Sequence, residues 1–456
     1  MYAPEADADK DNERKDIMAD ARMTAVKMLL KMEESDSYSN ILLDSVLSEA
    51  ELSDRDKAFA AALFYGVTER RMLLDYVIEQ NSNIPFKKLD KAAVAILRVG
   101  LFQLLFMDNV PESAAVNESV KLCKKMKLFS AQGFVNGMLR NFVRNGKKIS
   151  YLGLEREDRL SIEYSCPKWI VEKWIEEYDV ERTLKALRAS VGKPPVYARV
   201  NTIKTSTDKL LERLAKEKIA ARKHAGLDDC IILEKTGDIE KSKAFREGLF
   251  HVQDISSQLC CLTLRPVVNE TVIDMCAAPG GKSFTMAELM GNNGKLYSLD
   301  LHDMRVGLIE DGAERLGIRI ITAKQGDATR YNTELPQADR VLCDVPCSGL
   351  GVIRRKPEIK YKDPKEFEEL PAIQRRILET ASKYVKVGGT LVYSTCTLSK
   401  AENDDVVEAF AEVHPEFSPI VQHVPWAGAE NSYKRTYFPD ENGGDGFFTA
   451  SFRRIK

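Results

Sequence analysis

One stretch narrows the possible folds more than any other: Thr271-Val-Ile-Asp-Met-Cys-Ala-Ala-Pro-Gly-Gly-Lys-Ser283. A short apolar strand runs into a loop of small residues, and a helix over Phe284–Met290 follows. Such a loop lets main-chain N–H groups approach a ligand at a helix N-terminus. Strand–loop–helix units of this kind build open α/β sheets, whose ligands sit at the carboxyl ends of the strands. Gly281-Lys282-Ser283 has the look of a phosphate loop, but that motif requires glycine where Cys276 stands. Pro279 also removes a donor that a phosphate cradle would use. Nucleoside-triphosphate hydrolysis therefore ranks low.

The next strands keep the pattern. Lys295-Leu-Tyr-Ser-Leu-Asp300 ends in an acid placed to grip ribose hydroxyls. A helix through Leu316 follows, with Arg305 in its first turns as a further candidate to hold a cofactor. A third strand, Ile318–Ala323, leads to Gln325-Gly-Asp327. Acids after the second and third strands resemble the S-adenosylmethionine site of Rossmann-like methyltransferases, where they bind ribose and adenine respectively.

Two later strand ends carry the reactive groups. Val341-Leu-Cys-Asp-Val-Pro-Cys-Ser-Gly349 and Thr390-Leu-Val-Tyr-Ser-Thr-Cys396 bring Cys347, Cys396 and Asp344 to the same edge. Two thiols and a carboxylate there suggest nucleophilic chemistry. The chain has nine cysteines and no C-x-x-C unit, so no zinc or other metal site is expected. Scattered, odd-numbered cysteines fit free thiols in a reducing cytoplasm. No apolar signal segment opens the chain, and no apolar run approaches the ~20 residues that span a bilayer. A cytoplasmic protein without a membrane partner is expected.

The 456 residues suggest two or three domains. Residues 1–20 are acidic and polar, and read as a disordered tail. Residues 21–148 show helical periodicity and no strand signal, so an all-α domain is expected there, with Ala92–Phe106 as its central buried helix. Ser53-Asp-Arg-Asp56 reads as a capping box. Residues 149–255 read as a linker and a small α+β module, with strands at Val196–Asn201 and Cys230–Leu233 and a structural role for His251. Residues 256–456 make the α/β domain, closed by strands within Tyr433–Phe438 and Gly446–Arg453.

The net charge of −2 supplies no global field for a polyanion, so any nucleic-acid contact must be local. The run 121–148 holds Lys121, Lys124, Lys125, Lys127, Arg140, Arg144, Lys147 and Lys148 without an acid. A solvated helical face explains such a run; one-sided charge on two neighbouring helices also makes a phosphate-binding surface. Arg354-Arg-Lys356, Lys360 and Lys362 follow the Cys347 loop and are expected to hold phosphates around a target base.

Val110-Pro-Glu-Ser, Asn117-Glu-Ser-Val and Phe134-Val-Asn-Gly-Met-Leu-Arg140 resemble the NusB-like RNA-binding domain. Cys276-Ala-Ala-Pro-Gly-Gly-Lys282, Asp344-Val-Pro-Cys-Ser-Gly349 and Tyr393-Ser-Thr-Cys-Thr397 together resemble the RNA cytosine-5 methyltransferases, and with the region in front the chain resembles the bacterial RsmB/Sun subfamily. That resemblance implies an α/β, Rossmann-like class I methyltransferase domain preceded by an all-α NusB-like domain and a small α+β module. It implies S-adenosylmethionine as cofactor, S-adenosylhomocysteine as product, and 16S ribosomal RNA as partner of a monomer acting in rRNA processing. The cofactor would be held by Cys276, Ala277, Ala278, Pro279, Gly280, Gly281, Lys282, Asp300, Asp327 and Asp344.

Carbon 5 of cytosine is a poor nucleophile, and a thiolate added at carbon 6 makes it enamine-like. The resemblance assigns Cys396 as that nucleophile and Cys347 as the group aiding release; spacing alone does not choose between them. Ser399-Lys-Ala-Glu402 reads as a capping box, so a helix dipole near Cys396 is expected to favour its anion. Asp344 in its protonated form is expected to donate to nitrogen 3 of the base. Transfer RNA or another RNA as substrate, and a non-catalytic RNA-binding factor, are the competing readings; the intact thiols, Asp344 and cofactor loop argue against the latter.

Overall fold

The computed structural model describes residues 21–34, 39–235, 237–422 and 432–456. The acidic stretch 1–20, expected to be a disordered tail, lies outside the described residues. The chain divides into two compact units, one reaching from the N-terminus to Glu176 and including Arg355–Tyr361, the other made of Glu177–Arg354 and Lys362–Lys456.

The first unit is helical throughout its described residues. The helix Lys91–Phe106 runs through its centre, and its apolar positions from Ala93 to Leu104 are buried. It starts where Asp90 accepts from the N–H groups of Ala92 and Ala93, satisfying two donors of the first turn. Ser53 caps the helix Asp54–Glu69 as its sequence signals, accepting from Asp56 N. Arg98 in the central helix is buried, paired to Asp75 at 2.6 Å. The strap Arg355–Tyr361 completes this unit. Lys360 is 2% exposed and donates to Glu69 O at 2.8 Å. Tyr361 donates to Thr68 O at 3.1 Å, and the Arg71 guanidinium lies 3.7 Å above its ring. Lys360 was expected to hold phosphates, and its burial corrects that: its ammonium is spent on a main-chain carbonyl.

The second unit holds two sheets. The smaller consists of β1 (Val196–Val200), β2 (Ala220–Lys223), β3 (Cys230–Lys235) and β4 (Phe250–Val252), in the order β2-β3-β1-β4. All its pairings are antiparallel. Arg199 on β1 is fully enclosed and pairs with Glu288 at 3.0 Å, on the helix that follows the small-residue loop. His251 on β4 packs edge-on to Phe284, and burial pushes its imidazole down to about 3, so it is neutral and structural.

The larger sheet contains β5 (Thr271–Asp274), β6 (Lys295–Asp300), β7 (Ile321–Gln325), β8 (Ala338–Asp344), β9 (Val385–Thr395), β10 (Phe417–Pro419), β11 (Lys434–Tyr437) and β12 (Phe447–Arg454). Its order is β10-β12-β9-β8-β5-β6-β7, with β11 also on β12. From β5 to β9 the neighbours are parallel, while β12 runs antiparallel to β9. Strand order therefore reverses between β5 and β8, the switch point where doubly wound sheets bind ligands. Gly388-Gly389 forms a bulge inside β9: Ala338 pairs Val385 while Arg340 already pairs Thr390. The helix before it is Leu370–Ser382, and Val385 already belongs to the sheet.

Candidate active site at the strand switch point

After β5 the chain turns through Met275–Gly280 into the helix Gly281–Leu289. Gly280 adopts φ 107°, and a Cβ there would stand 2.4 Å from the Phe284 ring, so only glycine allows this turn. The Ala278–Pro279 peptide is cis. Ala277 N donates to Leu299 O on β6, fixing the loop to the neighbouring strand. Ser283 donates to Asp274 Oδ2 at 2.7 Å, while Asp274 Oδ1 is buried without a hydrogen bond. Burial pushes that carboxyl up to about 7 against the pull of Ser283. Cys276 is half-buried under the loop, and burial raises its thiol.

The two acids expected at the next strand ends stand where β6 and β7 finish. Asp300 is 4% exposed, accepts from His302 N at 3.1 Å and lies 3.3 Å from Arg305. Arg305 also donates to Ala278 O at 2.9 Å, so it ties the loop to Asp300. Asp327 accepts from both Thr329 N and Thr329 Oγ1, and these bonds hold its carboxyl below the usual range. A cavity of about 300 Å³ opens beside it, lined by Met275, Leu299, Gly326 and Tyr331 among others.

Lys282 connects this half of the site to the other. Its Nζ lies 2.7 Å from Asp344 Oδ2 at the end of β8, and Asp344 Oδ1 accepts from Ser394 on β9 at 2.8 Å. Burial works against the Lys282 ammonium, but Asp344 and the Cys260 thiol outweigh it and raise Lys282 above the usual lysine range. Asp344 thus has Oδ2 on Lys282 and Oδ1 on Ser394, so both of its oxygens are engaged.

The two thiols meet as their strand ends predict: Cys347 Sγ and Cys396 Sγ are 3.3 Å apart. The contact with Cys396, then burial, then the nearby Glu402 charge push the Cys347 thiol well up. Gly351 N donates to Cys396 O, and a Cβ at Gly351 would stand 2.0 Å from Gly446 O, so the two loops can close only on glycine.

The expected capping box at Ser399 is absent. Ser399 makes no side-chain cap, only the three-residue turn Lys400–Glu402 follows it, and the helix begins at Asp404. The dipole expected beside Cys396 is therefore not built. Glu402 instead turns inward and accepts from Ser348 N at 2.8 Å and Ser348 Oγ at 2.6 Å. Its spacing from Ser399 suits a cap equally well, which is why sequence reasoning missed it. Arg354 donates to the carbonyls of Gly192 and Lys193, so its guanidinium is already engaged within its own unit.

In the first unit Lys121, Lys124, Lys125, Lys127, Arg140, Arg144 and Lys148 are exposed, while Lys147 is half-buried and paired with Glu112. Lys121 also pairs with Glu118. A cavity of about 490 Å³ opens on this face, lined by Asn117, Phe129, Gln132, Asn136 and Arg140 among others. Phe129 is 68% exposed. Among the described residues no group of acids, histidines and cysteines could hold a metal ion, and no helix is long and apolar enough to cross a membrane.

Comparison with known proteins gives three family matches: 16S rRNA methyltransferase RsmB/F over residues 261–453, the NusB family over 19–144, and the ferredoxin-like domain of RsmF/B-like methyltransferases over 166–240. The probable ribosomal RNA small subunit methyltransferase B of Bacillus subtilis is 39% identical, covering 95% of this chain and 98% of its own length. Its counterpart in Synechocystis is 36% identical over 96% of this chain and 100% of its own. The crystal structure of PH0851 superimposes with a TM-score of 0.79 at 25% identity, covering 95% of this chain and 98% of that one.

Proposed function

From the premise that the chain belongs to the 16S rRNA methyltransferase RsmB/F family, with a class I methyltransferase fold behind a NusB domain, we propose that it methylates carbon 5 of a cytosine in small-subunit ribosomal RNA. Cys396 is the nucleophile that adds at carbon 6, and Cys347 assists release. The observation that carries this reading is the 3.3 Å approach of the two thiols beside the Lys282–Asp344 pair, which joins the cofactor loop to the reaction loop.

The residues at the strand ends fit S-adenosylmethionine. The Gly280 turn leaves main-chain groups open at a helix start, Asp274 Oδ1 is a buried acceptor without a partner, and Asp300 stands where ribose hydroxyls would lie. Met275, Leu299 and Tyr331 around Asp327 suit the apolar faces and polar edge of adenine. When bound, the cofactor supplies an electrophilic methyl group and leaves as S-adenosylhomocysteine.

The chain's own residues do the rest. Addition of the Cys396 thiolate pushes charge onto the ring toward nitrogen 3, where Asp344 in its protonated form donates to the base while Lys282 and Ser394 orient its carboxyl. Cys347, its own proton passed to solvent, then accepts the carbon 5 proton, and Cys396 leaves as thiolate, which restores the ring. In the first unit, the exposed Phe129 beside amides and Arg140 suits an unstacked base, and the lysines around it suit phosphates. Nine free thiols suit a reducing compartment such as the cytoplasm.

The test is denaturing electrophoresis after incubation with small-subunit ribosomal RNA and S-adenosylmethionine. Cys347→Ala should accumulate an RNA-linked band, and Cys396→Ala should give none and no methyl transfer. Substrate carrying 5-fluorocytosine traps the adduct in the wild type, since fluorine does not leave as a proton does. The opposite pattern makes Cys347 the nucleophile, and activity only on transfer RNA overturns the substrate.

A further inference from the structure

Cys347 Sγ and Cys396 Sγ lie 3.3 Å apart although 49 positions separate them in the chain. β8 and β9 run parallel up to the pair Asp344–Ser394, and Val345 N then donates to Ser394 O at 3.1 Å. Past the strands, Ser348 follows Cys347 and Thr397 follows Cys396, and their hydroxyls are 2.7 Å apart. Glu402, 3% exposed, takes hold of both loops. It meets Ser348 N at 2.8 Å, Ser348 Oγ at 2.6 Å and, more loosely, Thr397 Oγ1 at 3.4 Å. Gln374 donates to Glu402 Oε2 and to Pro346 O, each at 3.0 Å. Gly351 N donates to Cys396 O at 3.0 Å. The main chain is thus tied down on either side of each sulfur.

Access and reactivity set this pair apart from the other thiols. Six of the nine free cysteines are buried, whereas Cys347 and Cys396 are half-buried. Oxidants act on accessible thiolates. Addition at carbon 6 needs one of the two sulfurs as a thiolate, the form that is also the nucleophile toward a peroxide. A reactive thiol with a second thiol in reach is the arrangement in which a sulfenic acid is resolved as a disulfide. An S–S bond is about 2 Å long, so closing it takes about 1.3 Å of sulfur movement, a side-chain adjustment and not a loop rearrangement.

We propose that Cys347 and Cys396 form a reversible redox switch: a hydroperoxide oxidises them to a Cys347–Cys396 disulfide, which stops methyl transfer until a dithiol reduces it. This rests on the reading that these two thiols carry the methyl transfer. The Cys396 thiolate attacks one oxygen of hydrogen peroxide. The O–O bond breaks, the other oxygen takes up a proton and leaves as water, and Cys396 becomes a sulfenic acid. Cys347 Sγ then attacks Cys396 Sγ, the S–O bond breaks, and hydroxide leaves as water with the Cys347 proton. Two thiols lose two electrons, and one peroxide becomes two waters. Thiol–disulfide exchange with a dithiol returns both thiols. The bridge occupies both reacting sulfurs and leaves the Gly280 turn and Asp300 as they are. It also keeps Cys396 from the irreversible sulfinic acid. A transient bond of this kind suits a reducing compartment, where lasting disulfides are rare.

The experiment treats reduced full-length protein with hydrogen peroxide, blocks the remaining thiols with N-ethylmaleimide and maps disulfides by mass spectrometry. Methyl transfer to small-subunit ribosomal RNA and S-adenosylmethionine affinity are measured on the same samples. A Cys347–Cys396 bridge should form in step with the loss of methyl transfer. Dithiothreitol should restore activity, and cofactor affinity should not change. Cys347→Ala cannot bridge, so after peroxide its RNA-linked band should be lost and fail to return with dithiothreitol. Loss of activity without this bridge overturns the switch, as does a bridge that leaves methyl transfer intact. Recovery of Cys347→Ala as complete as that of the wild type also overturns it. A reduced protein that methylates no RNA brings down the function and the switch together; one that methylates RNA and never bridges removes the switch alone.

Discussion

Asp300 shows what a single side chain carries in this site. It is nearly enclosed, with one oxygen on His302 N and the other near Arg305. Replacing it with alanine removes a charge-assisted grip on the ribose, and S-adenosylmethionine affinity should fall by roughly 1.5–3 kcal/mol. Calorimetric titration reads this directly, and unchanged affinity rules out the ribose assignment. Asp300→Asn should fall between the two, since it keeps the shape and loses the charge. Residues such as Asp300, Asp344 and Cys396 were legible because each ends an apolar strand, and a strand end points at the ligand edge whatever the rest of the chain does. Glu402 was not. Its neighbours Ser348 and Gln374 are distant in sequence, and only packing of the helix Leu370–Ser382 against the turn at Lys400 brings them to it.

Among the elements, the buried strands β5 and β6 and the central helix Lys91–Phe106 stand where their periodicity predicts, while the edge strand β7 starts at Ile321 rather than Ile318 and short edge strands did not announce themselves. β2 and β4 have four and three residues, too few for alternation to stand out, and they exist because β3 and β1 offer them free edges. The glycine pair in β9 reads as a turn on local grounds; the sheet absorbs it as a bulge because β8 continues to pair on both sides. The helix Glu112–Lys125 and the turn after it carry the exposed Lys124, Lys125 and Lys127. Changing these three to glutamate should weaken RNA binding and flatten its salt dependence, by about 0.7–0.9 in the log–log slope for each phosphate no longer neutralised. Equal affinity with an unchanged slope sinks this surface as an RNA-binding face.

At the scale of the whole molecule, the two units are not two successive stretches of chain, because Arg355–Tyr361 belongs with the helices. Lysines and arginines after a reaction loop read as solvent-facing, and nothing local marks Lys360 as the buried one. Burial pushes its ammonium down to about 8 from 10.5. Between those values the unfolded chain binds more protons than the folded one, so this group's contribution to stability rises with pH across that window, and its penalty is complete below it. At roughly 1.4 kcal/mol per pH unit the full penalty is about 3 kcal/mol. Urea unfolding of Lys360→Met against wild type should therefore show a stability difference that shifts in favour of wild type from pH 8 to 10.5; parallel profiles would exclude it. The strap has one more consequence, which concerns synthesis. A ribosome delivers the helices first, at ~5–20 residues per second. The carbonyls of Thr68 and Glu69 must then wait for Tyr361 and Lys360, which are made only after β8 and the Cys347 loop. The nascent helical unit is thus held unfinished until the first half of the reaction centre has been translated, and a chain interrupted before residue 361 carries an incomplete N-terminal unit as well as an inactive catalytic one.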